Sequence, residues 1–186
     1  MIKKHKSCSR YVSPKTLKEK VLLLCWDTCW TIFCVWTPRP LNRWRVLWLK
    51  IFGAKIIGRP FVHQRARFHS PWNIELQNGS AVGDRANLYS LDKIIIGERS
   101  VVAQESYLCT GTHEFEDLEY FSLLTDKIII EDDVFIGARA FILKGITVKQ
   151  GAIVGSCSVV TKDVPEWSVS VGNPCRVIKG RRLNRS

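Results

Sequence analysis

The sequence predicts an all-β solenoid, a parallel β-helix of hexapeptide repeats, preceded by an amphipathic helical segment and interrupted by one ejected loop. Three patterns carry this prediction. Ile130, Ile136, Ile142, Val148, Val154 and Val160 are aliphatic at an unbroken spacing of six. Four residues after each stand Val134, Ala140, Ile146, Ala152, Ser158 and Val164, mostly small or β-branched. The same ladder runs earlier with interruptions, through Ile56, Val62 and Phe68, then Leu76, Val82 and Leu88, then Ile96, Val102 and Leu108. Neither a helical period of 3.6 nor a strand period of 2 fits, because both would carry Asp132, Arg139 and Lys149 into the core. If each hexapeptide supplies one short strand and one turn, three of them close a triangular coil, and stacked coils bury one apolar column. Glycine follows the inward residue at Gly83, Gly97, Gly137 and Gly155, where it is expected to supply backbone conformations that a Cβ would penalise.

The 186 residues, 46% hydrophobic and 24% charged, suit one domain with a real core. Seven cysteines without a CxxC pair signal neither a disulfide framework nor a zinc site, which fits reduced thiols in a cytoplasmic setting. The net charge of +11 is unevenly spread: residues 1–67 carry +13, residues 68–175 carry −7, and residues 176–186 carry +5. Nucleic-acid binders place a basic stripe across the folded body. Here the body is acidic and the ends are basic, a pattern suited to an anionic membrane surface or a phosphate-bearing ligand.

Taken in order, residues 1–15 have no apolar period and are expected to form a loose arm. From Leu17 to Trp36 the chain reads as a helix, with Lys20, Asp27, Thr31 and Cys34 on a narrow polar stripe and Trp26, Trp30, Phe33 and Trp36 on a broad apolar face. Asp27 in its middle and the short uncharged run argue against a membrane span, and no signal-peptide cleavage site follows. Pro38 and Pro40 stop that helix. A second one sets Leu41, Trp44, Leu47, Trp48 and Ile51 against Arg43, Arg45 and Lys50, as at a membrane interface. Peripheral contact with the inner face of an anionic membrane and a role as cap on the first coil both fit these helices. The expected divisions are residues 1–52 as a basic, Trp-rich helical segment, 53–165 as the β-helix, and 166–186 as a C-terminal tail.

Residues 109–127 break the ladder, and loops ejected from rigid solenoids are where chemistry concentrates. This one holds His113 beside Glu114, Glu116 and Asp117, then Tyr120 and Phe121. His63 and His69, six apart, invite a metal reading, but the sequence offers no set of three clustered histidines and they read as outward surface residues; no metal is expected. Cys109, Cys157 and Cys175 read as inert small thiols.

The ladder, the ejected TGTHEF loop, the stretch IGARAFILKGITVKQGAIVGSCSVVTKDVP and the ending VGNPCRVIKG resemble the hexapeptide-repeat acyltransferase family over about residues 53–179. The family fold is a left-handed parallel β-helix that assembles as a homotrimer with sites between subunits. Galactoside and maltose O-acetyltransferases are similar, and the segment TPRPLNRWRVLWLKIFGAKI resembles the colanic acid biosynthesis acetyltransferases, which serve exopolysaccharide assembly. The resemblance implies transfer of acetyl from acetyl-CoA to a sugar hydroxyl, direct and without an acyl-enzyme. It implies His113 as the base, the backbone N–H near Ala138 as the oxyanion donor, and Gly155, Ser156, Ser158 and Thr161 along the pantetheine. Lys162, Arg176 and Lys179 would meet the CoA phosphates, while Arg181, Arg182 and Arg185 read as a solvated tail. Asn87, Tyr89 and Ser90 occupy the acceptor neighbourhood, although the acceptor-binding asparagine of related enzymes does not align cleanly. A hydroxyl is a poor nucleophile near pH 7, so this chemistry needs a base and an oxyanion donor. An acetyltransferase for free sugars or amino sugars, and a β-helix scaffold without catalysis, are the alternatives.

Overall fold

A computed structural model describes residues 16–114 and 122–182. The expected loose arm, the side chains of Glu116, Asp117, Tyr120 and Phe121, and Arg185 lie outside the described residues. Five triangular coils follow two helices. The first coil is β1 (Lys55–Ile56), β2 (Phe61–Val62) and β3 (Arg67–Phe68), and the second is β4 (Ile74–Leu76), β5 (Ala81–Val82) and β6 (Asn87–Tyr89). The third is β7 (Ile94–Ile96), β8 (Val101–Val102) and β9 (Tyr107–Cys109), after which β10 (Gly111–His113) and β11 (Leu123–Thr125) leave the solenoid as an antiparallel arm. Then come β12 (Ile128–Ile130), β13 (Phe135–Ile136) and β14 (Phe141–Ile142), and β15 (Thr147–Val148), β16 (Ile153–Val154) and β17 (Val159–Val160). Corresponding strands stack in parallel to make three flat faces. The first face contains β1, β4, β7, β12 and β15; the second contains β2, β5, β8, β13 and β16; the third contains β3, β6, β9, β14 and β17.

The six-residue ladder is the core. From Val62 through Val160 its inward residues are nearly or fully buried, and so are the partners four residues on, from Val134 to Val164. All three interruptions of the period fall at one corner, where the chain passes from the third face to the first. A 3-10 turn at Pro71–Asn73 fills the first, a short bend at Leu91 and Asp92 the second, and the arm the third.

The glycines after the inward residues are needed for a different reason from the expected one. None of the four has positive φ; the left-handed residues stand two positions later, at Arg85, Arg99, Arg139 and Cys157. What the glycines allow is close stacking. A Cβ on Gly137 would lie 2.5 Å from Ser156 N and 2.8 Å from Gly155 C, backbone atoms of the next coil.

Helix α1 (Leu17–Phe33) begins at a capping box, in which Thr16 Oγ1 accepts from Glu19 N and Thr16 N donates to Glu19 Oε2. With α2 (Asn42–Ile51) it closes the first coil. Trp26 Nε1 donates to Phe68 O at 2.7 Å and Trp30 Nε1 to Ala66 O at 3.1 Å. Their rings therefore bury apolar area without stranding a polar atom, each worth roughly 4–6 kcal/mol as an upper figure. Cys34 is buried beside them rather than on the polar stripe, and burial pushes its thiol pKa up to about 12. Arg45 also departs from expectation. It is fully buried, donating to Val62 O, Thr37 Oγ1, Pro38 O and Arg39 O, so it ties α2 to the solenoid instead of joining Arg43 and Lys50 outside. Leu17, Leu24 and Trp36, at 78%, 68% and 82% exposure, point away from the coils.

At the far end β18 (Ser168–Val171) extends the second face and β19 (Arg176–Gly180) folds back antiparallel against it. Arg181, expected as free tail, is half-buried. Its Nη1 donates to Asp133 O and Gly151 O, and its guanidinium lies over the Trp167 ring at 5.9 Å.

Candidate active site

The arm that carries His113 is bolted to the solenoid at Thr110. Its hydroxyl donates to Tyr89 O at 2.9 Å and accepts from Asp92 N at 3.0 Å, while its carbonyl accepts from Asp126 N at 3.0 Å, where the arm returns. Gly111 starts the arm pressed on Leu91, whose Cδ1 would be 2.6 Å from an added Cβ. His113, paired with Leu123 in the two-stranded ladder, ends the described outgoing strand with its side chain exposed. Four residue steps put its Cα at most about 13 Å from that of Cys109, a residue in register with Tyr89.

The outer side of the third face carries a stack of rings. His69 and Tyr89 are 4.7 Å apart between centroids, Tyr89 and Tyr107 6.2 Å, and Tyr107 and Phe141 4.9 Å with ring planes at 9°. Burial, followed by Cys109 and Tyr89, pushes the Tyr107 phenol up to about 12. Where this face meets α1 lies a groove of about 590 Å³. Trp26, Asp27, Trp30 and Thr31 form its helix side, and Arg65, Arg67, Arg85, His69, Asn87 and Tyr89 its solenoid side. Asn87 and Tyr89, expected near the acceptor, are therefore together on this groove. Ser90 is not, being fully buried with its hydroxyl bonded to Ser70 N and O. The arginines, His69 and the tryptophan wall were not read from the sequence as a site, although outward residues one step from each inward rung could have been collected from the ladder.

The residues expected to meet CoA fall on both edges of the third face. Lys162 and Arg176 line a second groove, of about 280 Å³, with Asp163, Pro165 and Cys175, at the corner from which the arm leaves two coils earlier. Thr161 is exposed beside it, and Lys179 lies exposed on β19. Ala138, Gly155 and Ser156 occupy the opposite corner, where Gly155 N is engaged by Ser170 O and Ala138 O accepts from Cys157 N. Ser158 is buried, its hydroxyl accepting from Gly172 N at 3.0 Å. The histidine arm is thus rooted at one edge of the third face and Ala138 lies at the other.

The other titratable groups serve the scaffold. His63 is buried, correcting its expected surface position, with Nδ1 3.1 Å from Asp84 Oδ1 and 3.3 Å from Arg65 N. Burial lowers its pKa, Asp84 opposes that, and the Arg65, Arg39 and Arg45 charges add to it. Burial raises the Cys175 thiol, and Cys109 Sγ donates to Gly111 O at 3.2 Å. Among the described residues no group of three His, Cys, Asp or Glu could hold a metal ion.

A hexapeptide β-helix with one ejected arm and a basic exit strand accords with the resemblance to the hexapeptide-repeat acyltransferases. A family model described as the hexapeptide repeat of succinyl-transferase matches residues 127–162. Over 158 residues the chain is 38% identical to the colanic acid biosynthesis acetyltransferase WcaF of Escherichia coli (strain K12), covering 85% of this chain and 86% of that one. The crystal structure of a maltose O-acetyltransferase from Clostridium difficile 630 superposes with a TM-score of 0.81 at 26% identity, over 90% of each chain. A hexapeptide-repeat acetyltransferase of Vibrio cholerae O1 biovar eltor, complexed with acetyl coenzyme A, shares the fold at 19% identity and a TM-score of 0.79 over 94% of each chain. The chain belongs to the hexapeptide-repeat acetyltransferases, and its fold is their left-handed parallel β-helix.

Proposed function

We propose that this enzyme moves acetyl from acetyl-CoA to a hydroxyl of a sugar in exopolysaccharide assembly. The observation that supports this reading is the arm: it is tied to the solenoid at Thr110, carries an exposed His113, and leaves from the corner that two coils later holds the Lys162 and Arg176 groove. The hydroxyl oxygen attacks the thioester carbonyl carbon while His113 takes its proton. The tetrahedral oxyanion is held by the Ala138 backbone N–H. As it collapses the C–S bond breaks, and the imidazolium returns the proton to the departing CoA sulfur. Lys162, Arg176 and Lys179 hold the CoA phosphates. Ser156 and Thr161, exposed at the two edges, meet the pantetheine, with Gly155 and Ser158 supporting that path from beneath.

Because the arm and the Ala138 corner flank opposite edges of one face, a complete site needs a neighbouring copy, and the enzyme acts as a homotrimer. Exposed Phe61 and Phe135 on the second face supply apolar surface for such a contact. No helix among the described residues is long and apolar enough to cross a membrane. The outward apolar residues of α1, with Arg43 and Lys50 on α2, suit peripheral contact with the anionic cytoplasmic side of a membrane, where polysaccharide precursors are built. His113→Ala should retain CoA binding by calorimetry and lose at least about 100-fold in kcat, with His113→Gln no better, since neither side chain can take the proton. Full turnover in either variant removes the base from this scheme.

A further inference from the structure

The groove between α1 and the third face has more positive charge than a neutral sugar needs. Three guanidinium groups, Arg65, Arg67 and Arg85, face one lining carboxylate, Asp27. Arg65 is committed, making two hydrogen bonds to Asp84 at 2.8 and 2.6 Å. Arg85 stands 3.7 Å from Glu105, a loose pairing on the rim. Arg67 is exposed, in register with Asn87, and has no ion pair among the described residues. Beside these cations begins the ring stack His69, Tyr89, Tyr107 and Phe141, which climbs the same face toward the later coils. Rings stacked in this way keep their faces against one another, and the phenol hydroxyls of Tyr89 and Tyr107 at their edges are groups that can hydrogen-bond the hydroxyls of a sugar. Guanidinium forks match phosphate oxygens in geometry and charge.

We infer that the acceptor is a phosphate-bearing sugar, a glycosyl phosphate or diphosphate. Its anionic group lies on Arg67 and Arg85 under α1, and its sugar lies against Tyr89 and Tyr107, on the side where the arm brings His113. This rests on the reading of the arm as the catalytic element, and it narrows the acceptor from any sugar to one activated for glycan assembly. The phosphate can be linked to a nucleotide or to a polyprenyl lipid; the recognised chemistry is the same.

Calorimetry on the full chain tests binding separately from turnover. The probes are glucose, galactose and fucose, each against its 1-phosphate, followed by UDP-glucose and by farnesyl-diphosphate-linked glucose in detergent. At least one 1-phosphate should bind about 10- to 100-fold tighter than its free sugar, the range expected for one or two charge-assisted hydrogen bonds. Arg67→Ala with Arg85→Ala should erase that difference while CoA still binds, and Arg67→Lys should restore part of it. The tighter of the two diphosphate probes identifies the linkage. The inference is overturned if no phosphorylated probe outbinds its free sugar, or if the advantage survives the double substitution. Phosphate discrimination without acetyl transfer to any bound probe would instead overturn the catalytic reading of the arm and leave the phosphate seat standing.

Discussion

Replacing Arg45 by Met should loosen the N-terminal cap far more than any change at Arg43. Met keeps the unbranched stem and removes the donors, so the perturbation is four hydrogen bonds of 2.8 to 2.9 Å, to Val62 O, Thr37 Oγ1, Pro38 O and Arg39 O. Val62 O is buried and loses its partner outright, at about 1–3 kcal/mol; the other three acceptors are part-buried, and water can replace much of each bond. Against this, the cation is buried without a carboxylate among its hydrogen-bond partners, and removing it relieves a desolvation cost of a few kcal/mol. Losses of about 4–6 kcal/mol in all, less a relief of about 3, leave a net destabilisation of about 1–3 kcal/mol, or roughly 2–12 °C in Tm for a chain of this length. A melt followed by circular dichroism measures the total. Hydrogen exchange should localise it, with faster exchange across residues 37–45 and 61–63 and little change beyond the third coil, as expected when each coil contacts only its neighbours. Arg43→Met should stay within about 0.5 kcal/mol of the parent. A Tm within about 1 °C of the parent for Arg45→Met, with unchanged exchange at 61–63, would refute the tethering role.

Gly137→Ala should cost about 2–4 kcal/mol or prevent folding, because the clash is with the backbone of the next coil rather than with a movable side chain; Arg139→Gly two positions on should fold, and equal stability of Gly137→Ala and the parent in urea would contradict the stacking argument. His63 has a folded pKa below its ordinary value near 6.5, so the unfolded chain binds the proton first; its contribution is complete above about pH 6.5 and declines as pH falls through the lowered value. His63→Gln should therefore flatten the urea midpoint against pH below about 6.5, and an unchanged slope would show that other groups set it. Arg43→Glu with Lys50→Glu should weaken binding to vesicles containing phosphatidylserine and reduce its salt dependence, each lysine or arginine near such a surface contributing about 1 kcal/mol. Undiminished vesicle recovery by that double variant would mean the basic side of α2 does not address a membrane.

Six-residue spacing made the solenoid legible because its cause is local. From Ile130 to Val160 each inward residue is followed four positions on by the small or branched residue that lets the corner close, so the core is written along the chain. The arm was equally visible as a failure of that spacing after Leu108, and His113 as its one imidazole. The helices were harder. The apolar face of α1 is broader than the contact it makes, so the sequence does not say which part of it meets the coil; packing chose Trp26, Trp30 and Cys34, where ring nitrogens could reach Phe68 O and Ala66 O. In the same way Arg45 reads as a solvent cation until the carbonyls of Val62, Pro38 and Arg39 converge on it.

The sequence by itself determined the repeat, the inward column, the two helices and the point where the arm leaves the ladder, since these depend on residues a few positions apart. Only the tertiary structure decided what stands next to what across coils. Stacking brings Tyr89, Tyr107 and Phe141, separated by 18 and 34 positions, into one column of rings, and docking of α1 sets Trp30 opposite Arg67. It also gave Gly137 its reason, because the backbone that excludes a Cβ there belongs to residues 155 and 156. Such distances depend on how many residues each intervening coil spends at its corners, and the third-face corner varies from a tight turn to the whole arm. The groove with its three arginines therefore exists only once the coils are wound and the helix is laid across them.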